Sequence, residues 1–248
     1  MIDVHVHLLP EVDDGAEDMN EALEMAALAV ESGVSVICVT PHSSAYGRHR
    51  NHDDEEYRQR FNELQAAIEK EGLKLKLVPG MEIFGTHDVM ECLKNGQLIG
   101  LNHSRYPLVE FPFNDYAAEA TEILEEIVEM GMVPVVAHPE RYVYVQEDPR
   151  LLNLWCELGC LFQINKGSLL GRFGSRVQRL AWELVFRGFA CIVASDAHSA
   201  DHRSTWMKEI QAVLSEELSK EEMDQLLRVR PGMLIEDKEI VMNEPEWF

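Results

Sequence analysis

Short apolar runs rich in β-branched residues alternate along the chain with longer segments in which apolar residues recur every three or four positions. The short runs predict buried β-strands, and their nearly continuous apolar character favours parallel strands covered on both faces. The longer segments predict amphipathic helices. Strands are predicted at Ile2–His7, Val34–Thr40, Leu73–Pro79, Tyr106–Phe111, Val133–His138, Leu161–Asn165 and Ala190–Ser195. Helices are predicted at Asn20–Glu31, Asp54–Glu71, His87–Asn95, Ala117–Met130, Pro149–Leu158, Val177–Arg187, Thr205–Glu217 and Lys220–Arg228.

This alternation of strand and helix, repeated about seven times, favours an α/β barrel, with a doubly wound open sheet as the alternative. Five of the helices are each followed by a glycine, the residue that most often ends a helix: Gly33, Gly72, Gly131, Gly159 and Gly188. The sequence contains no Ser/Gly-rich linker and no internal repeat, so residues 1–248 are predicted to form a single domain. Asn243–Phe248 are expected to form a loose, exposed tail.

The acidic composition limits the choice of partners. The chain has 22 Lys and Arg against 44 Asp and Glu, a net charge of −22 at pH 7, so a nucleic-acid partner is disfavoured by repulsion from the phosphate backbone. No apolar run approaches the ~20 residues of a membrane span, and no signal peptide is evident at the N-terminus. Five scattered cysteines fit a reduced, cytoplasmic protein, with Cys38 and Cys191 as small buried side chains.

Polar side chains follow the end of nearly every predicted strand. Because the carboxyl ends of parallel barrel strands meet at one mouth, these side chains are expected to lie together. Each motif alone is weak, since His-x-His is a common accident, His138 suits a structural role, and a buried Glu110 suits a salt bridge. Together they favour a metal site. The candidate ligands are His5, His7, Asp14, His42, Glu82, Glu110, His138, Asp196 and His198.

Mixed imidazole and carboxylate ligands suit Mn, Fe or Zn better than Ca. The candidates are too many for one ion and would serve two or three, an arrangement typical of in-line attack on a phosphoester. Arg141 and Arg203 closely follow two of the strand ends and are candidate phosphate-binding residues, although pairing with one of the many acids would also explain each of them. No cysteine is followed six residues later by an arginine, which excludes the cysteine-dependent phosphatase mechanism.

The order of these motifs resembles a known family. The segment Ile2–Pro10, followed by Val12–Ala16, is similar to the opening of the PHP (polymerase and histidinol phosphatase) superfamily. More narrowly, the chain resembles the bacterial PHP-type protein-tyrosine phosphatases of capsular and exopolysaccharide loci. The similarity extends, in order, through Thr40–His42, Pro79–Ile83, Val109–Phe113, Val136–Arg141, Gly167–Leu169 and Ala194–His198.

The resemblance implies a distorted (β/α)7 TIM-like barrel with a trinuclear site, usually described with manganese. It implies His5, His7, Glu82 and Asp196 around a first metal. It implies Glu82, Glu110 and His138 around a second, and Asp14, His42 and His198 around a third. Arg141 and Arg203 match the arginines that hold the substrate phosphate, and His42 is a candidate to assist the leaving group.

The implied substrate is a phosphotyrosine protein, with a bacterial tyrosine kinase of polysaccharide synthesis as the expected partner. A small-metabolite phosphatase acting on a compound such as histidinol phosphate is one alternative. A metal-stabilised regulator of the kinase that binds without hydrolysis is another. Ser43 replaces a histidine that relatives often have, and the loop Ser44–His52 carries a basic cluster of Arg48, His49, Arg50 and His52. Two interpretations of this cluster stay open, contact with a phosphorylated peptide or simple solvation, so the sequence does not determine the substrate preference at this loop.

Overall fold

The protein is described by a computed structural model that covers residues 1–46 and 49–248. Arg48, part of the predicted basic cluster, lies outside the described residues. The strands are β1 (Ile2–Val6), β2 (Val36–Val39), β3 (His42–Ser43), β4 (Lys76–Pro79), β5 (Glu82–Phe84), β6 (Leu108–Glu110), β7 (Val135–Ala137), β8 (Leu161–Asn165) and β9 (Ala190–Ala194). The helices are α1 (Met19–Glu31), α2 (Glu55–Lys70), α3 (Val89–Lys94), α4 (Ala117–Glu129), α5 (Val143–Glu147), α6 (Leu151–Glu157), α7 (Lys166–Leu169), α8 (Ser175–Phe186), α9 (Lys208–Glu217), α10 (Lys220–Asp224) and α11 (Arg230–Ile235).

The strands form two parallel sheets, in the orders β1-β2-β4 and β3-β5-β6-β7-β8-β9. Two residues, Thr40 and Pro41, separate β2 from β3, and two more, Gly80 and Met81, separate β4 from β5. The pair β2 and β4 is thus continued by the pair β3 and β5. Counted in this way, the nine strands occupy seven positions, as the sequence pattern predicts.

The seven positions are arranged as an incompletely closed ring. Between β9 and β1, pairing in the described residues is limited to one parallel bridge, Val6 with Ala197. Two backbone hydrogen bonds of 2.9 Å support it, from the Asp196 amide to the His5 carbonyl and from the His7 amide to the Ala197 carbonyl. The expected distorted (β/α)7 barrel is confirmed, and it brings the start and the end of the chain's strand series together at the mouth.

Side chains alternate between the two faces of each strand and so divide the core into two parts. On β6 and β7, Leu108, Val135 and Ala137 join an inner cluster, whereas Val109 and Val136 pack outward against the helices. The inner cluster also includes residues of α11, whose Gly232 lies close to Ile2 at the start of β1. Helix α11 therefore covers the amino-terminal end of the barrel, and the opposite end is left for polar side chains.

Helix ends follow the sequence signals closely. The predicted terminal glycines all have positive φ angles: Gly33 90°, Gly72 71°, Gly131 80°, Gly159 92° and Gly188 81°. Strand β8 has the predicted bounds, whereas the other predicted strands are shorter in the structure, because a strand extends only where a neighbour offers hydrogen-bond partners. The predicted helix Lys220–Arg228 continues through a wider π-turn at Gln225–Val229 into α11.

The carboxyl-terminal tail is packed onto the barrel, contrary to the expectation of a loose end. Arg187 donates to the carbonyls of Glu246 and Trp247, and the Phe248 ring lies 5.3 Å from that of Phe189. Asn153 bonds both the amide and the carbonyl of Phe248. These contacts join the tail to α6 and to the end of α8, a placement that the local sequence does not reveal.

Candidate metal centre

The barrel mouth brings all nine predicted ligand residues into one cluster. Their donor atoms form four overlapping groups, in each of which the atoms lie within 4.8 Å of one another. The groups are His7, Asp14, His42 and His198; His5, His7 and Asp196; His5, Glu82 and His138; and His42, Glu82 and Glu110. Because the groups share members, they are neighbouring parts of a single donor cluster.

Strand geometry explains this convergence. His5 and His7 lie two residues apart at the end of β1, so both imidazoles point to the same face. Glu82 begins β5 and Glu110 ends β6. His138 and Asp196 follow β7 and β9 with positive φ angles of 33° and 51°. Non-glycine residues rarely adopt this conformation, and such backbone strain is typical of functional sites.

The donor atoms are too crowded to satisfy one another with protons alone. The Nε2 atoms of His5 and His7 face each other at 3.3 Å. Glu82 Oε1 lies 3.1 Å from Nε2 of both His5 and His138. Glu82 Oε2 is buried and lies 3.0 Å from His42 Nδ1 and 3.2 Å from His7 Nε2, but neither contact within the described residues has hydrogen-bond geometry. Converging lone pairs and an orphaned carboxylate oxygen are the environment that divalent cations stabilise, so the residues present fit a metal centre.

Burial and mutual repulsion shift the acid–base properties of this cluster. Burial, aided by the negative charge of Glu82, raises the pKa of Glu110 to about 8. Burial and the positive charge of Arg141 lower the pKa of His138 to about 4, which leaves a neutral imidazole. Burial opposes ionisation of Asp196, but His5 and Arg203 outweigh it and lower the pKa of that carboxyl. Neutral imidazoles and ionised carboxylates are the forms that bind metal. The pKa shifts of His138 and Asp196 favour these forms, whereas Glu110 has to release a proton before it can bind a cation.

Three polar residues that the sequence analysis missed support the ligands. Asp13 accepts from the His42 amide at 2.8 Å and bonds His7 Nδ1 at 2.7 Å. Gln163 Oε1 bonds His5 Nδ1 at 2.9 Å and accepts from the His138 amide at 3.3 Å. Asn165 donates to Asp196 Oδ2. For Gln163 and Asn165, the sequence offered one signal, a polar residue inside the buried run Leu161–Asn165. The same signal singled out Glu110.

Both predicted arginines reach the cluster through Asp196. Asp196 Oδ1 faces the imidazoles of His5 and His198, each at 3.5 Å, whereas Oδ2 accepts a hydrogen bond from Arg141 at 3.1 Å and forms an ion pair with Arg203. The Asp196 carboxylate thus joins the imidazoles of the cluster to two guanidinium groups. Ion pairing with an acid, the alternative considered for the arginines, is therefore present, but the acid is itself a candidate ligand.

Aromatic rings restrain the Arg141 side chain. Its guanidinium carbon lies 4.7 Å from the ring centroid of Phe113 and 4.5 Å from that of Phe173. Stacking between rings and pairing with Asp196 limit the orientations of the guanidinium. The remaining N–H groups are thereby held beside the cluster, where an anion would bind.

The cysteines lie apart from this chemistry. Burial raises the pKa of Cys38, Cys160 and Cys191 to about 12, which keeps these thiols protonated and unreactive at neutral pH. Within the described residues, no helix is long and apolar enough to cross a membrane.

Fold and site together define a parallel-stranded α/β barrel with a histidine–carboxylate centre at the carboxyl ends of its strands. The sequence profile of the CpsB/CapC family, described as capsular polysaccharide synthesis, matches residues 1–236. The chain belongs to this family.

Two relatives have sequences similar to this protein over most of its length. Tyrosine-protein phosphatase YwqE of Bacillus subtilis (strain 168) is 36% identical over 248 residues, covering 100% of this chain and 94% of that protein. The putative tyrosine-protein phosphatase CapC of Staphylococcus aureus is 37% identical over 210 residues, covering 85% of this chain and 82% of that protein.

Solved structures support the same grouping. The crystal structures of YwqE from Bacillus subtilis and CpsB from Streptococcus pneumoniae, described as metal-dependent tyrosine phosphatases, include a chain with a TM-score of 0.93 and 34% identity. The match covers 100% of this chain and 99% of that one. A histidinol phosphate phosphatase of Lactococcus lactis has a TM-score of 0.58 at 14% identity, covering 87% and 92%, which shows the shared fold alone.

Proposed function

We propose that this protein is a metal-dependent protein-tyrosine phosphatase that hydrolyses phosphotyrosine on proteins. The observation that carries the proposal is the nine-residue donor cluster, joined through Asp196 to Arg141 and Arg203. An anionic phosphoester needs positive charge. Arg141, Arg203 and bound divalent cations would supply it at this cluster. Membership of the CpsB/CapC family and the tyrosine phosphatases among its relatives support the same activity.

The chain's own side chains have separable roles in this reaction. Arg141 and Arg203 bind the phosphoryl oxygens and stabilise the charge that accumulates on them in the transition state. Bound divalent cations supply Lewis-acid charge and lower the pKa of water. Water attacks phosphorus in line while the bond to the aryl oxygen breaks, and the proton that the water releases passes to solvent as phosphate forms. A phenol has a pKa of ~10, so its oxygen leaves with little protonation. His42, with a side chain 21% exposed at the cluster edge, is placed to donate a proton to it.

The proposal also covers the identity of the metal ions and of the protein substrate. We propose two or three ions, most favourably Mn²⁺ with Fe or Zn as alternatives, because the donors are imidazoles and carboxylates without thiolates. The proposed protein substrate is a tyrosine kinase of capsular or exopolysaccharide synthesis, and the proposed location is the cytoplasm. The family description and the relatives' names support this choice.

The decisive experiment compares substrates and metal content. We expect the manganese-loaded protein to release phosphate from a phosphotyrosyl peptide faster than from histidinol phosphate, and the metal-stripped protein to be inactive. Faster turnover of histidinol phosphate would favour the metabolite alternative. Binding of a phosphorylated kinase without phosphate release would favour the non-catalytic alternative. Full activity after metal stripping would contradict the mechanism.

Variants test the cluster itself. His138→Ala and Asp196→Ala are each expected to abolish turnover of an aryl phosphate while circular dichroism shows a retained fold. His87→Ala is the matched control, since this exposed histidine pairs with Glu122 and Glu126 of α4, away from the cluster. Activity loss in the control equal to that in the cluster variants would contradict the assignment.

A further inference from the structure

A cavity of about 330 Å³ opens directly beside the donor cluster. Three of the proposed ligands, Asp14, His42 and Glu110, line one part of it, and Phe84 and Tyr46 line another. A volume of ~150 Å³ holds a benzene molecule, so this cavity accommodates a phenyl ring with space for a peptide backbone. Its lining combines a metal-binding side with an aromatic side.

The position of Phe84 follows from strand alternation. Phe84 lies two residues after Glu82 in β5, so both side chains project from the same face, roughly 6.6 Å apart along the strand. Glu82 is 1% exposed within the cluster, whereas Phe84 is 37% exposed. Phe84 therefore stands one layer above the donor atoms, toward solvent.

The backbone around Phe84 is held in place by its neighbours. Phe84 pairs in parallel register with Glu110, and the Gly85 amide donates to the Glu110 carbonyl at 2.8 Å. A side chain at residue 85 would lie 2.3 Å from the Phe111 ring, so glycine is required where the chain passes this core residue. These contacts hold the backbone of Phe84 next to a proposed metal ligand, and its ring forms part of the cavity wall.

A phosphotyrosine places its ring one ester oxygen away from phosphorus. A phosphoryl group at the cluster, held by Arg141 and Arg203, therefore requires its ring to lie immediately beside the donor atoms. Phe84 offers an apolar surface in the cavity beside the donor atoms. Tyr46 lines the same cavity, and the guanidinium carbon of Arg50 lies 5.6 Å from the centroid of the Tyr46 ring. Exposure alone does not mark such a role, because Phe186 is 57% exposed and lines a separate cavity with Leu226 and Met242.

We propose that Phe84 is the specificity-determining residue that binds the aromatic ring of the substrate and makes the site selective for aryl over alkyl phosphate monoesters. This inference rests on the proposed phosphatase function of the same cluster. Stacking or edge contact with an aromatic ring contributes about a factor of ten in affinity. An alkyl chain, as in a phosphoserine, ends short of the ring and gains little from it.

Binding of non-hydrolysable phosphonates tests the inference independently of turnover. Dissociation constants of phenylphosphonate and methylphosphonate are measured by titration calorimetry for the manganese-loaded protein. We expect the wild type to prefer phenylphosphonate by about tenfold or more. Phe84→Ala should lose about tenfold in phenylphosphonate affinity, with methylphosphonate affinity unchanged within about twofold, since this ligand contacts only the phosphoryl-binding groups.

Companion variants separate ring recognition from structural damage. Phe84→Tyr keeps the ring and should keep the preference, whereas Phe84→Leu keeps an apolar side chain without a ring and should lose most of it. Phe186→Ala is the matched control and should behave as the wild type. An equal loss for both phosphonates in Phe84→Ala, no loss for either, or no measurable phenylphosphonate binding to the wild type would overturn the inference.

A different result would contradict the proposed phosphatase function. If the manganese-loaded wild type releases no phosphate from a phosphotyrosyl peptide, the phosphatase proposal is wrong whatever the phosphonate preference. If it does release phosphate and Phe84→Ala keeps the wild-type preference for phenylphosphonate, only the role of Phe84 is wrong.

Discussion

Gln163 connects two candidate ligands from within a buried strand. Its carbonyl oxygen is shared between the imidazole of His5 and the backbone amide of His138, both fully or almost fully buried. A hydrogen bond to the ring nitrogen that does not face the cluster selects the tautomer and orientation of a metal-binding histidine. Gln163 therefore acts on the centre through His5 and His138 rather than by direct contact with a substrate.

We predict that Gln163→Leu weakens manganese binding by about 10- to 100-fold, because His5 loses the partner that orients its ring. Calorimetric titration of the metal-free protein with Mn²⁺ measures this change. Gln59→Leu is the control, since Gln59 is an exposed residue of α2 whose side chain donates to Glu63. Unchanged affinity in Gln163→Leu would show that the cluster positions His5 without this bond.

Arg141 depends on aromatic neighbours for its orientation, and Phe173 is the neighbour farther along the chain. A Cβ at Gly167 would lie 2.8 Å from the Phe173 ring, so glycine at residue 167 makes room for the ring that stacks on Arg141. An uncharged ring thus helps to orient the side chain that we propose to bind the substrate phosphate.

We predict that Phe173→Leu raises KM for an aryl phosphate about three- to tenfold with a smaller change in kcat, since the loss of one cation–π contact frees the Arg141 side chain. Steady-state kinetics measure the two constants, with Phe186→Leu as a matched Phe→Leu control. A lower kcat at constant KM would instead assign Phe173 to transition-state stabilisation.

At the level of elements, the breaks between β2 and β3 and between β4 and β5 shape the mouth. The two breaks lie side by side in neighbouring strands, and each is followed by a candidate ligand, His42 or Glu82. At Gly80 a Cβ would lie 2.6 Å from Cys38 Sγ and 3.3 Å from Thr40 Cγ2. The close approach of the two strands at this point therefore requires glycine.

We predict that Gly80→Ala destabilises the protein by about 1–3 kcal/mol, because the added methyl group has no space between the strands. Denaturant unfolding measures the change. Adding Cys38→Ala should recover part of the loss by removing the contacted sulfur, and a double-mutant cycle quantifies this coupling. Strictly additive effects of the two substitutions would contradict the proposed contact.

At the level of the whole molecule, a net charge of −22 coexists with a mouth that collects four acids and two arginines. Proton sharing within the metal-free cluster compensates only part of the repulsion, as the raised pKa of Glu110 shows. Cations that bind only the folded arrangement should stabilise it.

We predict that manganese at about 100 times its dissociation constant stabilises the fold by about 2.7 kcal/mol, which corresponds to a Tm increase of roughly 5–10 °C for a chain of this size. Differential scanning calorimetry of the metal-stripped and reloaded protein measures the shift. Asp196→Ala should show a smaller increase. An unchanged Tm in saturating Mn²⁺ would contradict a metal centre at the mouth.

The sequence alone determined the main alternation of strands and helices and which side chains follow the strands, although the short elements β3, β5, α5, α7 and α11 were not predicted. Apolar periodicity and terminal glycines are local properties, so the element order and the ends of α1, α2 and α8 were predictable. The nine cluster residues were also predictable, because the carboxyl ends of parallel strands necessarily meet at one mouth.

Only the tertiary structure decided the contacts between residues far apart in the chain. The Phe173 ring on Arg141, Gln163 between His5 and His138, and the packing of Phe248 on Phe189 each join different elements. Strand alternation alone places Phe84 above Glu82, but the sequence does not show that Asp14 and His42 line the same cavity. Periodicity reports the face on which a side chain lies, whereas its partner depends on how the elements pack in three dimensions.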